Sequence, residues 1–130
     1  MHMTTQQTND KILKLTRALS GLRIPLIVNE YQLHEHIAAA LRDGGFVIQH
    51  EAKLAPRCRI DFLADGIGIE VKRGKPQKAA LLKQCGRYLE NEQLEALILV
   101  LDTSVSLPGE LHGKPLITFG LNKLWGVALP

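Results

Sequence analysis

The stretch Arg59-Ile60-Asp61-Phe62-Leu63-Ala64-Asp65-Gly66-Ile67-Gly68-Ile69-Glu70-Val71-Lys72 reads as a β-hairpin that turns at Asp65-Gly66. An Asp-Gly pair between apolar, β-branched runs is a strong hairpin signal, because a type I′ turn needs φ > 0 at both central positions. A two-residue loop pairs Ala64 with Ile67, Phe62 with Ile69 and Asp61 with Glu70. Directly opposed side chains hold their Cβ atoms about 4.5–5.5 Å apart, so the two carboxylates repel unless a proton or a cation lies between them. Lys72 lies two residues past Glu70 and projects from the same face, with Arg59 across from it. A hard divalent cation at Asp61 and Glu70, flanked by Lys72, relieves the repulsion. The plainer alternative is a solvated face on which acids and bases balance.

The chain around this hairpin has 130 residues, 45% of them hydrophobic and 22% charged, which suits one folded domain with its own core. Cys58 and Cys85 lie far apart with no Cys-x-x-Cys spacing, so neither a disulfide framework nor a zinc site is expected, and a reducing, cytoplasmic setting fits. The first ten residues lack a basic flank followed by an apolar core, and no apolar run reaches membrane-spanning length, so no membrane partner is expected. A net charge of +3 permits a polyanionic partner without arguing for one.

Residues 1–9 are polar and read as a disordered tail, with residues 10–130 forming the single domain. Ile12, Leu13, Leu15, Ala18 and Leu19 suggest a helix from Asp10, closed by Ser20-Gly21. Leu22 to Val28, with Pro25 inside it, reads as a packed connector. Asn29 is then a helix N-cap with Gln32 in the capping-box position and Val28 and Leu33 as a hydrophobic staple. That helix runs to Arg42 and stops at Asp43-Gly44-Gly45, with Leu33, Ile37, Ala40 and Leu41 as its buried stripe. On the helical wheel Glu30 falls about 20° from Ile37 and Glu35 roughly 160° away, so Glu30 is expected to point inward and Glu35 to water. Phe46 to Glu51 reads as the first strand and Ala52 to Pro56 as a connector into the hairpin. After Gly74-Lys75-Pro76 a helix spans Gln77 to Glu90, and the apolar run Ala96 to Leu101 fits a central strand buried on both faces. Residues 102–114 read as a loop, Leu116 to Phe119 as a short strand and Leu121 to Trp125 as a last helical turn.

This order and these residues resemble the PD-(D/E)XK nuclease superfamily. The motif stands here as Ile60-Asp61, eight residues, then Glu70-Val71-Lys72, with Ile60 where the nominal motif has proline. Gln84-Cys85-Gly86-Arg87-Tyr88 on the following helix is similar to the Gln-x-x-x-Tyr signature of RecB-type members. The resemblance implies an α/β fold with a restriction-endonuclease-like core: a central mixed sheet, an antiparallel meander plus a later strand, flanked by helices. It implies a metal-dependent DNA nuclease in which Asp61, Glu70 and the carbonyl of Val71 bind Mg²⁺, with Mn²⁺ able to substitute. Glu30 would hold a metal-bound water or join a second metal site, and Lys72 would orient or deprotonate the attacking water and offset phosphate charge. Gln84 and Tyr88, one helical turn apart, would lie over the site.

Arg57, Arg59, Arg73, Lys75, Lys78, Lys83 and Arg87 gather positive charge beside the acids and are the candidate DNA contacts. Phosphate contacts of this kind give affinity and position with little base specificity. A domain this small has little surface for reading a sequence, so a structure-selective endonuclease of DNA repair, recombination, or phage and mobile-element biology is expected. Cutting both strands needs two active sites, hence a homodimer. The competing expectation is a non-catalytic or partner-dependent nucleic-acid-binding module on the same fold. His34 and His36 diverge on their helix, although His34 could border the site, and His50 and His112 have no metal-spacing partner. Gly66-Ile67-Gly68 lacks the third glycine of a dinucleotide loop.

Overall fold

Asp65 and Gly66 take φ of 52° and 82° in a computed structural model of the chain, the left-handed pair that a type I′ turn requires. The structure describes residues 5–22 and 28–121. Residues 1–4 of the expected tail, 23–27 of the Pro25 connector and 122–125 of the expected last helical turn lie outside them. The described elements are α1 (Thr5–Ser20), α2 (Glu30–Asp43), β1 (Gln49–Ala55), β2 (Cys58–Ala64), β3 (Ile67–Lys72), α3 (Lys78–Glu90), β4 (Ala96–Leu101), β5 (Glu110–Leu111) and β6 (Lys114–Gly120). The strands form one mixed sheet in the order β1-β2-β3-β4-β6-β5. Neighbours β1/β2, β2/β3 and β5/β6 run antiparallel, while β3/β4 and β4/β6 run parallel.

Local sequence accounts for much of this. Asn29 accepts from Gln32 N–H while the Gln32 side chain accepts from Asn29 N–H, which completes the capping box. Gln77 caps α3 by accepting from Ala80 N–H at 2.7 Å. The six residues of β4 are all buried, as an all-apolar strand between two layers of helix must be. On one face of the sheet Leu15, Leu19, Leu33, Ile37 and Leu41 of α1 and α2 pack on Phe62, Ile67, Ile69 and Ile98. On the other, Leu81, Cys85, Tyr88 and Leu89 of α3 pack on Ile60, Leu97 and Leu99. Gly68 lets these layers close: a Cβ there would lie 2.5 Å from Ile60 Cδ1 and 2.7 Å from Leu94 Cδ2. Among the described residues no helix is long and apolar enough to cross a membrane.

Several boundaries differ from the sequence reading. Helix α1 starts at Thr5, so residues 5–9 are ordered rather than part of a tail. Tertiary contact recruits them: Thr8 is buried and donates to Glu95 Oε1 at 3.1 Å, and Lys11 donates to Glu95 Oε2 and to the Asp65 carbonyl. The first strand is Gln49–Ala55 and not Phe46 to Glu51, because Phe46 N–H is consumed in closing α2 on the Leu41 carbonyl. The expected connector is the second half of that strand, and Pro56 with Arg57 at φ 61° turns it into β2. Proline pre-sets the first turn position, so Pro56-Arg57 is a second hairpin turn. A third, His112-Gly113 at φ 54° and 75°, places β5 inside the expected 102–114 loop.

One irregularity shapes the site. Phe62 and Ala64 belong to the core under α1 and α2, yet Ile60, of the same parity on the same strand, belongs to the core under α3. On β1, Ala52 and Leu54 likewise sit under α3, whereas His50 faces Phe62. The β1–β2 ribbon therefore changes face at Glu51 and Asp61, which the β1–β2 register places opposite each other, and Glu51 takes a left-handed φ of 55° there. A non-glycine residue held at positive φ inside a strand marks a place where the surrounding structure overrides local preference.

Candidate active site

The β2–β3 ladder ends at the pair Phe62–Ile69, and beyond it side chains replace the backbone rungs. Asp61 N–H donates to Glu70 Oε1 at 3.0 Å, and Val71 N–H donates to Asp61 Oδ2 at 2.8 Å. Each acid thus takes one amide from the partner strand, which draws both carboxylates into the opening between the strands. Lys72 Nζ lies 3.2 Å from Glu70 Oε2. Asp61, Glu70 and Lys72 are therefore brought together, although the ladder stops one pair short of the expected Asp61–Glu70 pairing and these side-chain bonds stand in its place.

The electrostatics are strained. Glu70 is only 5% exposed, and burial first, then the nearby Asp61 charge, push its pKa up to about 7 against the relief given by Asp61 N–H and Lys72. Two negative groups share a site in which one is poorly solvated, and that is the condition under which a proton or a cation is favoured. Burial and then Glu70 also push the Cys85 thiol up to about 11, so Cys85 stays protonated and is not a nucleophile. Burial, and then the Glu70 charge, hold the Tyr88 hydroxyl far above its ordinary value. Tyr88 is thus a neutral donor. It donates to the Arg59 carbonyl at 2.9 Å and accepts from Gln84 Nε2 at 3.0 Å.

Beside Lys72 opens a cavity of about 480 Å³. Leu81 and Pro76 supply apolar wall, while Lys72, Lys83, Gln84 and Arg87 supply the polar groups. Gln84 thus faces this cavity next to Lys72, and Tyr88 lies buried behind it. Lys75 and Lys78 are exposed where α3 begins, and Arg57 and Arg59 are exposed on the β1–β2 hairpin. Arg87 leans toward that hairpin, its Nη2 3.4 Å from the Arg57 carbonyl. Arg73 is differently placed. It donates to the Val28 carbonyl at 2.6 Å and lies 3.7 Å from Asp102, so its guanidinium ties the end of β3 to the start of α2 and the end of β4.

Glu30 does not point inward as expected: it is exposed, as is Glu35. The wheel angle alone does not decide burial: Val28 and Leu33 on either side are buried in the core, while Glu30, in the first helical turn, leaves its carboxylate in water, where a charge keeps its hydration. One turn deeper the inward polar residue is His34, 8% exposed, with Nε2 3.7 Å from Asp61 Oδ2. His34 Nδ1 lies 3.1 Å from His50 Nε2. These two histidines are the site residues that sequence reasoning left aside. Pro56-Arg57 was the available signal, but on its own it would align His50 with Leu63. The register shift between Lys53 and Ala55 brings His50 to Phe62 instead. Glu30→Gln should accordingly leave activity and stability near the parent values, whereas His34→Ala should lower activity about 10–100-fold, as read by the same turnover and melting measurements on both variants.

Among the described residues no three His, Cys, Asp or Glu side chains converge as a ready metal-binding cluster. Compared with protein families, curated proteins and solved structures, the chain finds no match.

Proposed function

We propose that this chain is a metal-dependent DNA nuclease with a restriction-endonuclease-like core, and that Asp61, Glu70 and Lys72 carry phosphodiester hydrolysis. The observation behind this reading is the buried Glu70 beside Asp61, a pair whose charge is poorly offset by Lys72 alone. Asp61, Glu70 and the Val71 carbonyl are hard oxygen donors that suit Mg²⁺, or Mn²⁺ in its place, an ion that keeps several waters and so does not need a cage of three side chains. His34 Nε2 lies buried 3.7 Å from Asp61 Oδ2 without a hydrogen-bond partner. When bound, such an ion polarises the phosphate and lowers the pKa of a bound water. The remaining roles fall to the chain. Lys72 sits where it can orient the attacking water and offset charge growing on phosphate oxygens. Tyr88 and Gln84 brace the β2 backbone at Arg59, and Lys83 and Arg87 hold the phosphate chain beside Lys72. Lys75, Lys78, Arg57 and Arg59 extend that surface, whereas Arg73 has a structural task. A structure-selective endonuclease acting as a homodimer on duplex or junction DNA, in repair, recombination or mobile-element biology, fits a domain of this size.

One observation favours a second reading. Asp61 and Glu70 each already accept a backbone amide, and Glu70 already has Lys72 as an ion-pair partner. Such a self-satisfied site suits a nucleic-acid-binding module without turnover, or a subunit completed by a partner.

Single-strand, duplex, flap and four-way-junction DNA, each incubated with Mg²⁺, Mn²⁺ or chelator, separate the two. Cleavage that depends on the added ion is the expected result. Salt-sensitive binding with no cleavage under any ion would establish the second reading in its place.

A further inference from the structure

The outer half of the β1–β2 hairpin has two unlike faces. Ala52, Leu54, Cys58 and Ile60 turn toward α3 and are buried there. Side chains alternate along a strand, so Lys53 and Arg59 leave from the opposite face, where both are exposed. The register makes these two residues direct cross-strand partners. Their Cβ atoms therefore stand about 4.5–5.5 Å apart, and like charges so placed destabilise a strand pair.

Among the described residues no carboxylate offsets that cost: neither Lys53 nor Arg59 makes an ion pair. Arg57, exposed at the turn with φ 61°, makes none either. Lysine on an edge strand also guards against pairing with a second chain, and β1 is such an edge. That role accounts for Lys53 alone, because Arg59 stands on the inner strand and a guard gains nothing from a cation opposite it. Register also fixes where the pair lies relative to the acids. Arg59 precedes Asp61 by two residues, about 7 Å along a strand. A nucleic-acid strand carries one phosphate per about 3.4 Å of helix axis, so the pair stands about two phosphates from the Asp61–Glu70 opening. Lys83 and Arg87 line the cavity beside Lys72 on the α3 side, so the opening has cations on both faces of the sheet.

We infer that Lys53 and Arg59 form a phosphate clamp for the DNA strand where it leaves the acids along β2, with Lys53 as a contact residue that no role above includes. The inference rests on the DNA partner given under Proposed function, and not on the cation or on turnover. Phosphate between the two side chains replaces their mutual repulsion with two attractions. A single small anion would satisfy that pair and go no further, whereas a chain of phosphates meets both cations and continues to the acids. Contacts of this kind hold the backbone in register and read little sequence.

Because both side chains are exposed, they can be replaced without opening a cavity. Binding of labelled single-strand, duplex and four-way-junction DNA, measured in chelator over a series of salt concentrations, tests the clamp without cleavage. For the DNA bound most tightly, Lys53→Ala and Arg59→Ala should each reduce the slope of log affinity against log salt by about 0.7–0.9. Lys53→Glu pairs with Arg59 and takes both cations from the DNA, so its slope should fall by about twice that amount. Its melting temperature should rise, because opposed unlike charges replace like ones. Lys53→Arg keeps the charge and should bind as the parent does. A parent-like slope in Lys53→Ala and Lys53→Glu, while the parent itself binds DNA, overturns the inference alone; self-association of those variants would then assign Lys53 to guarding the β1 edge. Absence of salt-dependent binding by the parent overturns the DNA reading and the clamp with it.

Discussion

Glu70→Gln is expected to lose DNA cleavage by on the order of 10³-fold while leaving the cation-free protein more stable above neutral pH. Both effects come from one carboxylate. Glu70 titrates near 4.5 ordinarily and near 7 in the folded chain. Between these values the folded state binds more protons than the unfolded state, so stability falls as pH rises. The contribution is complete below 4.5 and gone above about 7, a loss on the order of 3 kcal/mol. Glutamine cannot ionise. It still accepts from Asp61 N–H, and it removes this slope. Chemical denaturation in chelator at a series of pH values should show the parent losing stability across that window and the variant holding level; equal slopes in the two would remove the claim that Glu70 is an uncomfortable buried charge. Added Mn²⁺ should reverse the order, stabilising the parent and not the variant, because a ligand that binds only the folded state adds stability by mass action.

The second large effect is at Lys72. Lys72→Met keeps the stem and removes the ammonium 3.2 Å from Glu70 Oε2, and cleavage should fall by about 10²–10³-fold. Its cost in stability depends on pH in a way that ties the two residues together. Above about 7 Glu70 is ionised in the parent, and loss of its charged partner should cost about 1.5–3 kcal/mol. At pH 5 Glu70 carries its proton and the substitution should cost little. In a Glu70→Gln background the same substitution should be nearly neutral at both pH values, and that double-mutant cycle measures the coupling directly. An equal cost at pH 5 and pH 9 would mean that Lys72 stabilises by packing rather than by charge.

The part of the site that lies within one hairpin is legible in the order of the residues. Asp65-Gly66 admits a tight left-handed turn, the turn fixes the register, and the register brings Asp61, Glu70 and Lys72 together. The caps of α2 and the buried run of β4 are legible for the same reason, since each depends on residues within a few positions of one another. The inward acid of α2 is not. A wheel gives the angle of Glu30 around its axis but not whether the carboxylate gives up its water there, and between the buried Val28 and Leu33 it stays exposed.

Sequence by itself thus determined an α/β chain with a charged hairpin at its centre, because turn chemistry, capping and periodic burial are short-range effects. Tertiary structure alone decided which helix residue meets the acids and how. His34 and His50 are joined across elements that local preference does not relate. The β1–β2 ribbon changes face at Glu51 and Asp61 against the preference of its own backbone. Both outcomes follow from packing two helical layers on one twisted sheet, where burial of the whole outweighs the local cost of a strained φ and an unpaired ring nitrogen.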